Sequence, residues 1–392
     1  MQRVYLDHNA TTPLRAQARA AMVAALDLVG NPSSVHAEGR AAKMVIERAR
    51  AQVAALVGCL PQQVVFTGSA TEAAALAVAQ KGRHGGLFAA LPTEHDCFGV
   101  WSDVTLETLF GRDGALAGSG SAAFLSWVMS LAGSTRHTDK GDVALVALSA
   151  ANSETGVLMP DGVVPGNGEV NASKAGSVPY AVVSDITQMA GKMAITYGDK
   201  KPSYMILSAH KIGGPKGVGA FINLTGDDPV AILRGGGQEM NRRSGTENIV
   251  GIAGFGAAAE AATGDVAAGR WDGVAELRNI LETALETNSN KTILVGKDVA
   301  RLPNTSCFIA EGWKGETQVM QMDLAGFAIS AGSACSSGKV KASTVLQAMK
   351  YNTAEASSAI RVSLGLETTQ EDVLRFADAW LAKRNKHEQR AA

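Results

Sequence analysis

The sequence predicts an α/β fold: a mostly parallel sheet covered on both faces by helices, followed by a smaller α/β unit. Three observations carry that expectation. From about residue 14 to residue 265, alanine-rich stretches with helical spacing alternate with short apolar runs. Those runs are continuous rather than alternating, as in strands buried on both faces. Polar clusters end five of them, at 67–71, 93–95, 149–154, 185–188 and 208–211. Functional residues in such sheets gather at the carboxyl ends of strands.

In chain order, residues 15–28 and 37–57 read as helices, and Pro13 suits the first turn of the former. Apolar runs at 64–66, 87–90, 143–148, 181–183, 205–207 and 218–222 read as strands. The segment 161–176 is polar and contains glycine, and is expected to be a surface loop. Beyond 266 the pattern gives a helix near 271–286, strands near 292–295 and 306–309, and a closing helix from Gln370.

Composition excludes several classes. A hydrophobic content of 46% with 19% charged residues describes a soluble globular chain of enzyme size. The net charge of −1, with both signs interspersed, gives no reason to expect a nucleic-acid or membrane partner. No run of 18 apolar residues and no signal-peptide core is present, so a cytoplasmic location is expected. Cys59, Cys97, Cys307 and Cys335 include no C-x-x-C pair, which argues against a disulfide framework and a structural zinc site.

The run Ser208-Ala209-His210-Lys211-Ile212-Gly213-Gly214-Pro215-Lys216-Gly217 carries the most chemistry. A lysine delivered to the end of an apolar strand can be desolvated, and its amine becomes a nucleophile able to form a Schiff base. Ser208 and His210 could anchor a phosphate beside it. An ordinary turn lysine before a hairpin is the bland alternative. Thr67-Gly68-Ser69-Ala70-Thr71-Glu72 opens an alanine-rich helix and could surround a phosphate with N–H groups and hydroxyls, or simply cap the helix. Asp185 could pair with a protonated heterocyclic nitrogen such as that of a pyridoxal ring, and Gln188 could donate to the phenolic oxygen. His95 could stack on a planar cofactor or shuttle protons. Cys335 has small, polar, flexible neighbours that leave its sulfur accessible, whereas Cys59, Cys97 and Cys307 suit inert packing. Arg361, inside an apolar strand, requires a partner: a substrate carboxylate or a structural ion pair.

Together these segments resemble the pyridoxal-phosphate cysteine desulfurases of the NifS/IscS type, within the class V aminotransferase group. The likeness runs from Tyr5-Leu6-Asp7-His8-Asn9-Ala10-Thr11-Thr12-Pro13 through Gly30-Asn31-Pro32-Ser33-Ser34-Val35-His36 to Ser363-Leu364-Gly365. It implies the pyridoxal-phosphate-dependent transferase fold (aminotransferase fold type I). A large cofactor domain would span 14–265, and 1–13 with 266–392 would form a small domain carrying a mobile cysteine loop. The implied cofactor is pyridoxal 5'-phosphate. Lys211 would be its Schiff-base lysine, His95 its stacking histidine, and Asp185 and Gln188 its ring-nitrogen and phenolate partners. Ala70, Thr71, Ser208 and His210 match phosphate-binding positions, and Asn152 and Ser153 match further cofactor contacts. Thr246 matches a threonine that reaches the other subunit's phosphate, which implies a homodimer. Arg361 and Asn31 match substrate-binding positions, and Cys335 matches the thiol that takes up sulfur.

The implied reaction converts L-cysteine to L-alanine and leaves a persulfide on Cys335 for a sulfur-acceptor or iron–sulfur scaffold protein. A selenocysteine lyase or an aminotransferase of the same class is the alternative. The chain departs from the family pattern in three places. Ser153 replaces the second of two asparagines, the phosphate turn is permuted, and the C-terminal tail is expected to lack the extension that some members use to dock a scaffold.

Overall fold

The computed structural model describes residues 3–103, 111–112, 144–159, 164–172, 176–289, 291–332 and 342–391. The chain opens with the short strand β1 (Val4–Tyr5), then α1 (Ala16–Leu26), α2 (Ala37–Val57), β2 (Val64–Thr67) and α3 (Ala70–Val78). Next come β3 (Phe88–Ala90), the single turn α4 (Asp96–Gly99), β4 (Leu145–Ser149), β5 (Gly168–Ala172), β6 (Gly176–Asp185), β7 (Tyr204–Ser208) and β8 (Gly219–Asn223). Two long helices, α5 (Ile249–Ala267) and α6 (Arg270–Thr287), lead to β9 (Thr292–Leu294), β10 (Thr305–Ala310) and α7 (Gly315–Leu324). The chain closes with β11 (Phe327–Ala328), β12 (Ser330–Ala331), α8 (Thr344–Ala348), α9 (Thr353–Ser357), β13 (Ala359–Ser363) and α10 (Gln370–Ala391).

The large sheet runs β2-β8-β7-β6-β4-β3. β3, β4, β6 and β7 are mutually parallel, and β8 is antiparallel to both β7 and β2. Along β7 the side chains alternate between two dry faces. Met205 and Leu207 pack with Val53 of α2 and Phe255 of α5, while Tyr204 and Ile206 pack with Leu76 of α3 and Phe221. Burial on both sides is why this strand is apolar from Tyr204 to Leu207. α5 is long and apolar enough to cross a membrane by composition, but it is a largely buried core helix packed against α1 and α2.

Register brings the polar strand ends to one edge. Ser149 pairs with Asp185, Asp185 with Ile206, and Gly219 with both Ser208 and Thr67. A second, antiparallel sheet runs β12-β13-β10-β9 and places Arg361 between Cys307 and Ser330. The N-terminal strand joins this region: β1 pairs with β11, and Val4 and Leu6 pack with Trp271, Phe327 and Phe376.

One expectation needs correction. The segment expected to be a surface loop over 161–176 supplies β5, which pairs antiparallel with an extension of β6. The alternation Glu169-Val170-Asn171-Ala172 is the period-two signature of such a strand.

Candidate active site

The N-terminal motif is what holds Lys211. β7 ends at Ser208 and the chain turns at once through Ala209–Lys211. Gly213 follows at φ +82°, where a Cβ would strike the Arg15 side chain at 2.6 Å. Thr12 clamps the turn, its N donating to His210 O (2.9 Å) and its Oγ1 to Lys211 O (3.1 Å). Lys211 Nζ then donates to the main-chain oxygens of Asn9 (2.7 Å) and Ala10 (2.8 Å). His210 Nδ1 lies 3.1 Å from Thr11 Oγ1. Burial, with Lys211 and Lys216 adding to it, pushes His210 down to about 4, so this ring is neutral at pH 7.

Asp185 ends β6 and accepts from Thr187 N through Oδ1 (2.8 Å). Gln188 is buried, with Nε2 donating to Asn9 O (3.0 Å) and Oε1 accepting from Lys192 Nζ (2.8 Å). Across the edge, Ser69 caps α3 by accepting from Glu72 N (3.2 Å). Ala70 and Thr71 form the open first turn, where N–H groups have no helical acceptor. Glu72 accepts from Gly68 N (2.7 Å) and pairs with Arg243. His95 caps α4, and its Nδ1 accepts from Cys97 N (3.1 Å), which leaves Nε2 as the ring's N–H donor.

Arg361 is 3% exposed. Its Nη1 donates to Ser153 O (3.0 Å) and its Nη2 pairs with Asp7 Oδ1 (2.9 Å). Among the described residues its Nε is buried without a partner, as is Thr187 Oγ1. The two expectations for this arginine therefore coexist: an ion pair with Asp7 and an N–H left for a ligand. Unsatisfied buried donors are rare, and a carboxylate is the natural partner for one on a guanidinium. Ser153 meets Arg361 through its main-chain oxygen, a contact that the serine-for-asparagine departure leaves intact. Asn152 spends its Oδ1 on Glu154 N and on Thr155, and its Nδ2 on Thr93 O, which fixes the turn.

Two desolvated carboxyls, half-buried Glu94 and buried Glu154, lie beneath this edge. Glu94 is bonded by Ser149 N and Oγ, and Glu154 by Ser343 Oγ. Burial pushes each up to about 7, against the opposing pull of those hydrogen bonds. A carboxyl raised in the folded state holds its proton there between pH 4.5 and 7 while the unfolded chain has released it. Its stabilising contribution is thus complete below about pH 4.5 and lost as pH rises through about 7. Glu154→Gln is expected to gain on the native protein by on the order of 3 kcal/mol between pH 4.5 and 8. Denaturant unfolding of both proteins at several pH values measures this. A pH-independent difference would refute the raised value.

Not every expected residue converges. Thr246 is exposed on the loop before α5. Asn31 is exposed, with its Oδ1 accepting from Ser33 N, and its described bonds do not reach Arg361. Cys335 lies outside the described residues. Burial pushes the Cys59 and Cys307 thiols up to about 12 and raises Cys97 as well, as inert packing requires. The residues that sequence reasoning passed over are Asn9 and Lys192. Asn9 sits inside the quoted N-terminal motif. Lys192 is four residues beyond Gln188 and flanked by apolar Met189, Ala190 and Met193, a spacing that could have exposed it.

The family model described as Aminotransferase class-V matches residues 4–376. The chain is 37% identical to a cysteine desulfurase of Cereibacter sphaeroides, over 96% of this chain and 95% of that one. It is 34% identical to an IscS-like cysteine desulfurase of Mycobacterium tuberculosis, over 94% of this chain and 93% of that one. The structure is similar to that of a NifS-like protein from Rickettsia africae, with a TM-score of 0.81 and 26% identity, over 98% of this chain and 100% of that one.

Proposed function

Because the chain belongs to the class-V aminotransferase family, we propose that it acts as a cysteine desulfurase built on Lys211, Arg361 and Cys335. It is an enzyme, and it depends on pyridoxal 5'-phosphate. The site fits that group. Asp185 keeps one carboxylate oxygen for the ring nitrogen, Gln188 has a second N–H for the phenolic oxygen, and His95 offers a flat ring. Ala70, Thr71, Ser208 and His210 would hold the phosphate, with His210 as a neutral donor. When bound, the cofactor supplies an electron sink for bonds breaking at the substrate's α-carbon.

The chain's own residues supply the rest. Lys211 Nζ would hold the cofactor, and its amine would move the substrate's α-proton. Arg361 Nε takes the substrate carboxylate. The Cys335 thiolate attacks the sulfur of L-cysteine, so an S–S bond forms as the C–S bond breaks. L-Alanine leaves, and the second sulfur stays on Cys335 as a persulfide. No external oxidant is consumed. The observation that carries this reading is the shared edge: Lys211, Asp185 and Gln188 stand at or just past the ends of the adjacent strands β6 and β7, near a buried arginine whose Nε has no partner among the described residues.

Arg361→Lys removes the forked donor but keeps a charge. It is expected to raise KM for L-cysteine about 10- to 100-fold and to preserve cofactor absorption. Steady-state alanine assays measure the first, and an unchanged KM would remove Arg361 from substrate binding.

A homodimer completes the reading. Thr246 faces outward, and the preceding loop exposes Ile232, Leu233 and Met240, the last 45% exposed. That loop is anchored by buried Glu239, which Arg50 grips through two bonds of 2.7 and 2.9 Å. The persulfide sulfur passes to an acceptor protein, with iron–sulfur assembly as its destination. Alanine formed from L-cysteine together with a labelled persulfide tests the function directly, and neither product from cofactor-loaded protein would end it.

A further inference from the structure

Lys192 has no part in the chemistry above, yet it is 3% exposed and, among the described residues, bonds to neutral acceptors. Its Nζ donates to Gln188 Oε1 (2.8 Å), Gln188 O (3.1 Å) and Asn9 Oδ1 (3.2 Å). An ammonium buried without a carboxylate is costly. Burial holds this amine well below the ordinary lysine range, and the nearby Lys211 and Arg361 charges add to the effect.

We propose that Lys192 is a positioning residue that fixes the Gln188 carboxamide with its oxygen inward and one N–H of its nitrogen free for the cofactor's phenolic oxygen. The amide has a donor end and an acceptor end, and its neighbours distinguish them. On one side stand the N–H donors of Lys192. On the other, Asn9 O accepts from Gln188 Nε2 (3.0 Å). The three bonds from Lys192 Nζ to oxygens use all three protons of its charged form, so turning the amide over would set N–H against N–H and oxygen against oxygen, losing both bonds.

Asn9 closes the circuit. Its O also accepts from Lys211 Nζ (2.7 Å), and its Oδ1 accepts from Asn304 Nδ2 (3.1 Å) as well as from Lys192. Its Nδ2 donates to Thr305 Oγ1 (2.8 Å), and its N donates to Ser363 Oγ (2.9 Å). The described hydrogen bonds of Lys192 reach the site through Gln188 and Asn9.

The inference rests on the reading of Gln188 as a cofactor contact. The test uses purified holoenzyme and its Lys192→Met, Lys192→Gln and Gln188→Leu variants, with the double variant Lys192→Met/Gln188→Leu. Two quantities are read: the ratio of the visible to the near-ultraviolet cofactor band at fixed pH, and the dissociation constant for pyridoxal 5'-phosphate. Lys192→Met is expected to change the band ratio at least about twofold and to weaken cofactor binding about tenfold, the effect of one lost hydrogen bond. Lys192→Gln, which keeps an N–H donor, is expected to restore most of both. In the Gln188→Leu background, Lys192→Met is expected to add nothing.

An unchanged ratio and affinity in Lys192→Met would overturn the proposal. So would an effect of full size in the Gln188→Leu background, or a Lys192→Gln variant as altered as Lys192→Met. Failure of Lys192→Met to fold leaves the decision to Lys192→Gln and Gln188→Leu, which must then differ in band ratio. If they do not, the proposal falls. A native protein with no visible band would overturn the cofactor reading as well, whereas a native band unmoved by Lys192→Met overturns only the role of Lys192.

Discussion

Lys211→Ala is expected to abolish alanine formation from L-cysteine, by at least about 10³-fold, and to remove or shift the visible cofactor band. The size of the effect follows from where the amine sits. Lys211 lies in the turn just past β7, whose neighbour β6 leads to Asp185 and Gln188, with Nζ held by Asn9 O and Ala10 O. The other nearby amine is unsuited to replace it, because Lys192 Nζ is already committed to Gln188 and Asn9. The fold should survive. Lys211 is only half-buried and gives up two hydrogen bonds to main-chain oxygens, a loss of about 1 to 2 kcal/mol. Absorption spectra and alanine assays on protein of verified thermal stability measure the outcome. Substantial residual turnover would mean that another group binds the cofactor.

Cys335→Ala is expected to abolish persulfide formation while leaving the cofactor band and its response to L-cysteine in place. The remaining cysteines cannot substitute. With thiols pushed up to about 12, Cys59 and Cys307 hold only about one part in 10⁵ as thiolate at pH 7, and Cys97 is raised too. Trapping sulfur on the protein after L-cysteine, followed by peptide mapping, reads the result. Full sulfur release without Cys335 would redirect the assignment toward a selenocysteine lyase or aminotransferase of the same class.

Much of the large sheet was legible because its physics is local. Continuous runs such as Tyr204–Leu207 and Ala181–Val183 can be stable only where both strand faces are dry, and the polar ends of those runs marked the edge that carries the candidate site. Segment 168–172 was harder to read, since its polar residues mask a period-two pattern that pairs only with the extension of β6. The site divides in the same way. Lys211, Asp185 and Gln188 announce themselves at strand ends. Asn9 is a small polar residue in a turn, and its importance comes from contacts 144 to 354 positions away in sequence. Glu94 and Glu154 look like surface carboxylates until burial is known. Thr246 and Asn31 cannot be placed against a ligand from one chain, because neither turns inward within it.

The most direct test of the desulfurase reading is a single turnover with L-cysteine in the absence of added thiols. The expected result is one L-alanine released per active chain, matched by one additional sulfur atom on Cys335. Alanine released together with free sulfide, while Cys335 stays unmodified, would contradict it.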